Sequence, residues 1–390
     1  MKRMAILLAA GAVSLSVFAG CSAKPVTAAP EGGASGDTVK IGLNYELSGD
    51  VASYGQASVA GIKLAAQEIN DAGGINGKKI ELIEYDTKSD TAEATTLATK
   101  LMAQDKVLTV IGPATSGGMK AQIQVAEKNQ VPIVSGSSTA DDLTVTNGKV
   151  NEYVFRTCFN DSFQGTSAAN YSTEKLGAKT AVIIKDNSND YSKGLAASFT
   201  TQFTANGGSI VTEEAYAKGE RNFNSILTKI KGQSFDVIYL PGYYEEAGPA
   251  IKQARELGIT APILGADGYD SPKLAEAAGA GLTDVYFTNH YSSEDTDPKV
   301  VEFIAAFNKA NGEDPNAFNA LGYDTMKFVA DAVSRATELT GPAVKDAMAA
   351  TKDFAGVTGT FSVDPETHNP VKSIVFIGYK DGKIAVTEKA

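Results

Sequence analysis

Apolar and polar positions along this chain switch repeatedly between a period of two and a period near 3.6, and each switch predicts a strand passing into a helix. Val39–Leu43 reads as a strand. Ile62, Ala65, Ala66 and Ile69 then fall at i, i+3, i+4 and i+7, the buried stripe of a helix that Asp71-Ala72-Gly73-Gly74 stops. Ile80–Tyr85 predicts the next strand and Ala92–Ala103 the next helix. Leu108–Ile111 and Val131–Val134 are short β-branched runs closed by Gly and Pro, as buried parallel strands are, and the amphipathic run Met119–Lys128 separates them. With Tyr153–Phe155 closing the series, four strand–helix units in a row predict a parallel, doubly wound sheet.

The pattern then begins again. Thr180–Ile184, Ser209–Val211, Val237–Leu240 and Pro262–Leu264 predict strands, with helices over Tyr191–Ala205, Phe223–Lys231 and Glu245–Leu257 between them. This is a second lobe of the same α/β architecture without a residue-level repeat. Beyond Val285–Phe287, helical runs over Lys299–Asn311, Ala317–Leu339 and Pro342–Ala350 exceed what a second sheet needs, so the chain is expected to cross between lobes more than once. Ser373–Tyr379 and Lys383–Val386 flank Asp381-Gly382, a hairpin signal.

The first 20 residues follow neither period. Lys2 and Arg3 precede the apolar runs Met4–Ala12 and Val13–Phe18, too short to span a bilayer comfortably, which predicts a bacterial export signal. Phe18-Ala19-Gly20-Cys21 resembles a lipobox, with Phe18 where that motif usually has Leu; Cys21 is then expected to be lipidated as the mature N-terminus. A signal cleaved nearby, leaving Cys21 incidental, is the alternative. Residues 21–37 are rich in Ala, Pro, Gly and Ser and predict a flexible tether. The expected location is therefore extracytoplasmic, lipid-anchored to the cell membrane, and periplasmic if the source is Gram-negative.

Composition mainly excludes. At 390 residues the chain is too long for one ordinary core, and 43% hydrophobic with 21% charged residues is globular. A net charge of −11 without any basic patch disfavours nucleic acid as a partner. Two histidines, His290 and His368, and no clustered cysteines make a His/Cys metal site unexpected, and no cofactor is implied. With Cys21 lipidated, Cys158 has no partner for a disulfide.

The candidate chemistry collects at one kind of place. The stretch Val107–Asp142 turns twice from an apolar run into small hydroxyl residues: Ser116 before a Gly pair, then Ser137, Ser138 and Thr139 before Asp141. A hydroxyl at a strand-to-helix turn can cap the helix, and the free N–H groups beside it favour an anion such as a carboxylate. Tyr54, Tyr191, Tyr243 and Asp267 likewise follow predicted strands. Each has a bland reading as a cap, a helix start, a core ring or an Asx-turn residue. Together they fit one cleft, because open α/β sheets bind ligands beyond the carboxyl ends of their strands.

These residues sit within an ordered set of motifs: Leu47-Ser48-Gly49 with Tyr54-Gly55; Gly61, Glu68-Ile69-Asn70 and Gly73-Gly74-Ile75-Asn76-Gly77; Ile111-Gly112-Pro113; and Asp161-Ser162 with Gln164-Gly165. From about Val39 to the C-terminus the chain resembles the type I solute-binding proteins of ABC importers, and among them the branched-chain amino-acid binding proteins. The resemblance implies two doubly wound parallel-sheet lobes joined by a three-strand hinge, 38–157 with 289–364 and 158–288 with 365–390. It implies that Ser116, Ser137 and Thr139 hold an amino acid's carboxylate and amino group, that Tyr191 and Tyr243 close from the second lobe, that Tyr54 and Phe318 wall the side chain, and that Asp267 takes the ammonium. Relatives carry Glu where Asp267 stands, and some carry a disulfide where Ser89 and Thr115 stand. The partners implied are a free amino acid and the permease subunits of an importer, with the binding protein itself a monomer.

Three other readings remain open on sequence alone. The same fold could take another small solute, such as another amino acid, an amide or urea, or an aromatic acid, or it could serve as a ligand sensor. An enzyme is disfavoured: Gly279-Ala280-Gly281-Leu282-Thr283-Asp284 lacks the third Gly of a dinucleotide loop, Gly118 stands where a phosphate loop needs Lys, and no GxSxG elbow occurs.

Overall fold

The computed structural model describes residues 34–389, so the expected export signal, Cys21 and most of the expected tether lie outside the described residues. The end of that tether differs from expectation. Ala34–Ser35 folds back antiparallel onto Thr38–Val39 about Gly36, whose φ of +60° suits glycine.

The first sheet is built from β1 (Thr38–Tyr45), β2 (Lys79–Asp86), β3 (Thr109–Ile111), β4 (Ile133–Ser135) and β5 (Val154–Arg156), all parallel in the order β2-β1-β3-β4-β5. Strands β3, β4 and β5 are buried at every position, as expected of a sheet covered on both faces, whereas in edge strand β2 only Ile80 is fully buried. Helices α2 (Thr91–Ala103) and α3 (Ser116–Asn129) cover one face through Leu101, Met102, Met119 and Ile123. Helix α1 (Ala52–Asp71) covers the other.

The second sheet repeats that order. β6 (Thr180–Asp186), β7 (Ser209–Tyr216), β8 (Val237–Tyr239), β9 (Ile263–Gly265) and β10 (Val285–Asn289) run β7-β6-β8-β9-β10 in parallel, and the antiparallel hairpin β11 (Val375–Lys380) and β12 (Lys383–Lys389) extends it. Helices α4 (Asp161–Glu174) and α5 (Asp190–Ala205) share one face; α6 (Asn224–Lys231), α7 (Tyr244–Glu256) and α8 (Pro272–Ala278) belong to the other.

The chain passes between sheets three times: from β5 into α4, from β10 into α9 (Pro298–Asn311), and, after α10 (Ala317–Arg335), α11 (Gly341–Ala349) and the small hairpin Phe354–Phe361, into β11. The late helices thus return to the first sheet. Helix α10 lies on α1 at a glycine crossing: a Cβ at Gly61 would fall 1.9 Å from Asn319 O, and one at Gly322 would fall 2.1 Å from Ser58 O. That approach fixes Tyr54 on α1 against Phe318 on α10, with their rings stacked at 4.4 Å.

Two expectations need correction. The fourth strand of the first sheet is not followed by its own helix; β4 runs into a loop and the two-residue strands Val145–Thr146 and Lys149–Val150 before β5. Helix α4 was not expected as an element. Its sequence shows no apolar stripe, because its buried face is made of Gly165, Ala168, Ala169 and Ser172 packed closely on α5.

Candidate functional site

The carboxyl ends of both sheets face one another across a small cavity lined by Tyr54, Ala114, Thr115, Ser116, Ser137, Tyr191, Tyr243, Asp267, Gly268 and Phe318. Seven of the eight candidates from sequence line it. Thr139 is fully buried next to it and is not among the lining residues.

On the first-lobe side the wall is mostly main chain. Helix α3 begins at Ser116 and is capped by Thr115, not by Ser116: Thr115 Oγ1 accepts from Gly118 N, and Thr115 O accepts from Met119 N. The amides of Ser116 and Gly117, in the first turn, have no intrahelical acceptor, and the positive end of the helix points at the cavity. Ser116 Oγ has a different task, accepting the amides of both Thr139 and Ala140 at 3.1 Å and so tying the two binding turns together. Ser137 Oγ donates to Ala114 O. Behind this wall lies Arg156, fully buried, donating to Ser138 O and Ala140 O. Burial pushes its pKa down, yet Arg156 still places a cation beneath the loop. Glu46, just after β1, accepts the amides of Ala114 and Thr115 and the Thr115 hydroxyl. Neither Glu46 nor Arg156 was singled out by sequence.

On the second-lobe side the wall is side chains. Asp267 opens a 3₁₀ turn after β9 and is 4% exposed. Its Oδ1 accepts from Tyr191 Oη at 2.6 Å and from Gln164 Nε2 at 3.0 Å, and its Oδ2 lies 3.1 Å from His290 Nε2. Tyr191, in the first turn of α5, also accepts Gly268 N and stacks on Tyr243 at 5.1 Å. A second acid lies beside this one. Asp161 is fully buried, and neither of its carboxylate oxygens, nor Thr139 Oγ1, has a partner in good hydrogen-bonding geometry. Burial holds the Asp161 carboxyl well above the usual range; the nearby Thr139 hydroxyl acts against the shift and the charge of Asp267 adds to it. Asp161 and Gln164 lie in a motif the sequence singles out without assigning them a role. His290 carries no sequence signal at all.

The lobes touch around the cavity. Tyr54 Oη donates to Gly268 O and accepts Tyr244 N, Ser53 and Ser271 share a hydrogen bond, and Lys120 pairs with Asp142 and, across the cleft, with Asp190. Among the described residues no group of three or more His, Cys, Asp or Glu side chains is placed to hold a metal ion.

Two equivalently ordered sheets, three crossings between them and a small cavity at their facing edges define a two-lobed protein that closes on a solute. Over residues 38–383 the sequence matches the family model of the periplasmic binding proteins, and the chain belongs to that family. It is similar to the leucine-, isoleucine-, valine-, threonine- and alanine-binding protein of Pseudomonas aeruginosa, 30% identical over 84% of this chain and 86% of that protein. Among solved structures it resembles the branched-chain amino acid transporter substrate-binding protein LivJ of Streptococcus pneumoniae in complex with isoleucine, with a TM-score of 0.86 and 42% identity, over 90% of this chain and 99% of that one. It also resembles, at a TM-score of 0.79 and 26% identity over 90% of this chain and 95% of that one, an ABC transporter solute-binding protein of R. palustris in complex with benzoate.

Proposed function

We propose that this protein captures a branched-chain amino acid, leucine, isoleucine or valine, between its two lobes and delivers it to the permease subunits of an ABC importer. The observation that carries the reading is the polarity of a single cavity. A helix start with serine hydroxyls forms one wall, two buried acids stand on or beside the other, and aromatic rings lie between. The first-turn amides of α3 and the Ser116 hydroxyl, which has its proton free, receive the carboxylate beside Ser137, helped by the buried cation of Arg156. Asp267 receives the ammonium, with Asp161 and Thr139 beside it, and the stacked pair Tyr54 and Phe318 together with Tyr243 encloses the apolar side chain. Micromolar capture requires about 8 kcal/mol, within reach of a few charge-assisted bonds and an apolar pocket.

The halves 38–157 with 289–364 and 158–288 with 365–390 open and close as bodies about the three crossings. Binding proceeds without turnover, and the protein acts as a monomer. The leader over residues 1–20 exports the chain, and lipid on Cys21 tethers it outside the cytoplasmic membrane. The relatives' ligands, leucine, isoleucine, valine, threonine and alanine for the first, isoleucine for the second and benzoate for the third, support a carboxylate-bearing solute; the two acids favour one that also carries an ammonium.

A thermal-shift screen of the common amino acids, urea and benzoate tests this, since a ligand that binds only the folded state raises the unfolding midpoint by mass action. Leucine, isoleucine and valine are expected to give the largest shifts. A shift with benzoate or urea and none with any amino acid would overturn the assignment.

A further inference from the structure

The imidazole of His290 stands at the second crossing, directly after β10, 4% exposed and behind the carboxylate to which the ammonium is assigned. Asp267 already accepts from Tyr191 and Gln164, so its contact with His290 is a third donation, from Nε2–H, and Nδ1 is the bare nitrogen. That Nδ1 is buried without a partner, and Phe159 stacks on the ring at 3.7 Å, so nothing in its surroundings is placed to receive a second N–H. Burial accordingly holds the His290 pKa below its ordinary value, although Asp267 pulls it upward.

The same residue is linked to the aromatic wall. His290 N donates to Asn289 Oδ1, Asn289 Nδ2 donates to Asp270 Oδ2, and that oxygen also accepts Ala317 N, the first amide of α10. Phe318 is the next residue. The titratable groups facing the His290–Asp267 pair are Lys372 from the third crossing, Cys158 and Asp161 from the first, Asp270 from the turn after β9, Tyr191 on α5, Tyr239 on β8, Tyr243 before α7 and Tyr54 on α1; burial holds all four phenols protonated. Lys372 is occupied by Thr157 O and the Thr358 hydroxyl.

We propose that His290 is a positioning residue for Asp267 whose protonation opposes amino-acid binding, so that the cleft loses affinity in mildly acidic surroundings. The inference rests on the reading of Asp267 as the ammonium's partner. Neutral His290 donates one hydrogen bond and fixes the carboxylate's rotamer without adding charge. A proton added at Nδ1 makes it an imidazolium in contact with Asp267, where it competes with the ligand's ammonium for the same negative charge. Proton and ligand are then thermodynamically opposed: binding lowers the proton affinity of His290, and affinity falls as pH falls. Because the free-state pKa is below the ordinary histidine value, the loss develops on the acid side of about 6.5 and is absent above it.

Calorimetric titration of the full chain with L-isoleucine between pH 8 and pH 5 tests the proposal. The wild type is expected to lose affinity progressively toward pH 5, and buffers of different ionisation enthalpy should reveal proton release on binding near its acid end. H290Q keeps a donor for Asp267 but cannot titrate, so whatever its affinity at pH 7.5, that affinity should stay flat to pH 5. H290F removes the donor and should bind about tenfold more weakly at pH 7.5. An H290Q profile that falls like the wild type, or wild-type binding without proton release, overturns the proposal. D267N separates the two readings: if it binds normally, the ammonium assignment fails as well, and if it alone is impaired while H290Q and H290F behave as wild type at every pH, only the role of His290 fails.

Discussion

The two walls of the cleft solve complementary problems by different means. On the first-lobe side, groups suited to an anion come largely from the backbone of one stretch, residues 112–140, where strand ends turn into a helix start and a loop cross-tied by Ser116. On the second-lobe side, groups suited to a cation are carboxylates held by side chains from separate segments: Gln164 on α4, Tyr191 on α5 and His290 on the second crossing all converge on Asp267. A main-chain wall spreads its work over several amides and a dipole, so it tolerates the loss of one group. A side-chain wall concentrates charge on one residue and its neighbours, so it should be the more fragile.

The largest effect should therefore fall on the second wall. D267A is expected to weaken L-leucine or L-isoleucine binding by about 10²-fold or more, from the ~2–5 kcal/mol lost when a desolvated charge pair is broken; undiminished affinity by calorimetry would remove the asymmetry between the walls. The first wall is broken more gently by S116A, which leaves the buried amides of Thr139 and Ala140 unpaired. It should cost about 1–3 kcal/mol, read as a lower unfolding midpoint in the free protein and as weaker binding. A smaller effect is expected for Y54F, which keeps the ring stacked on Phe318 but removes the hydroxyl bridging Gly268 and Tyr244 across the lobes. About 0.5–1.5 kcal/mol should appear chiefly as faster ligand release in stopped-flow measurements. Smallest of all should be K120M. Its pairs with Asp142 and Asp190 are half-exposed, so a change of about 0–1 kcal/mol that vanishes at high salt is expected, and a larger change in closure would show that this surface contact matters.

The contrast also governs how much could be read before folding. The hydroxyl turns at Ser116 and Ser137, and Tyr54, Tyr191 and Tyr243, are legible because each follows a strand whose end is marked by local periodicity and Gly/Pro punctuation. Helix α4 was invisible because its buried face is small residues, and with it went the roles of Asp161 and Gln164. For Thr139 the family resemblance implies a ligand contact. In the fold it lies beside Asp161, with its amide committed to Ser116. The capping role expected of Ser116 belongs to Thr115, because the helix starts one residue later than the cap.

What the sequence determined by itself was the succession of strands and helices, its restart in a second lobe, and the small polar residues at the turns, since all of these depend on neighbours within a few positions. Tertiary structure decided which of those turns meet. Gln164 and Asp267 touch across 103 residues and Tyr191 and Asp267 across 76, distances that the strand order of the second sheet closes, while the three crossings bring that wall to face the hydroxyl turns of the first. It also decided which groups are deprived of water: the isolation of Asp161, the unpartnered nitrogen of His290 and the buried cation of Arg156 are properties of the whole surrounding shell, and desolvation leaves no mark on a residue's neighbours in the chain.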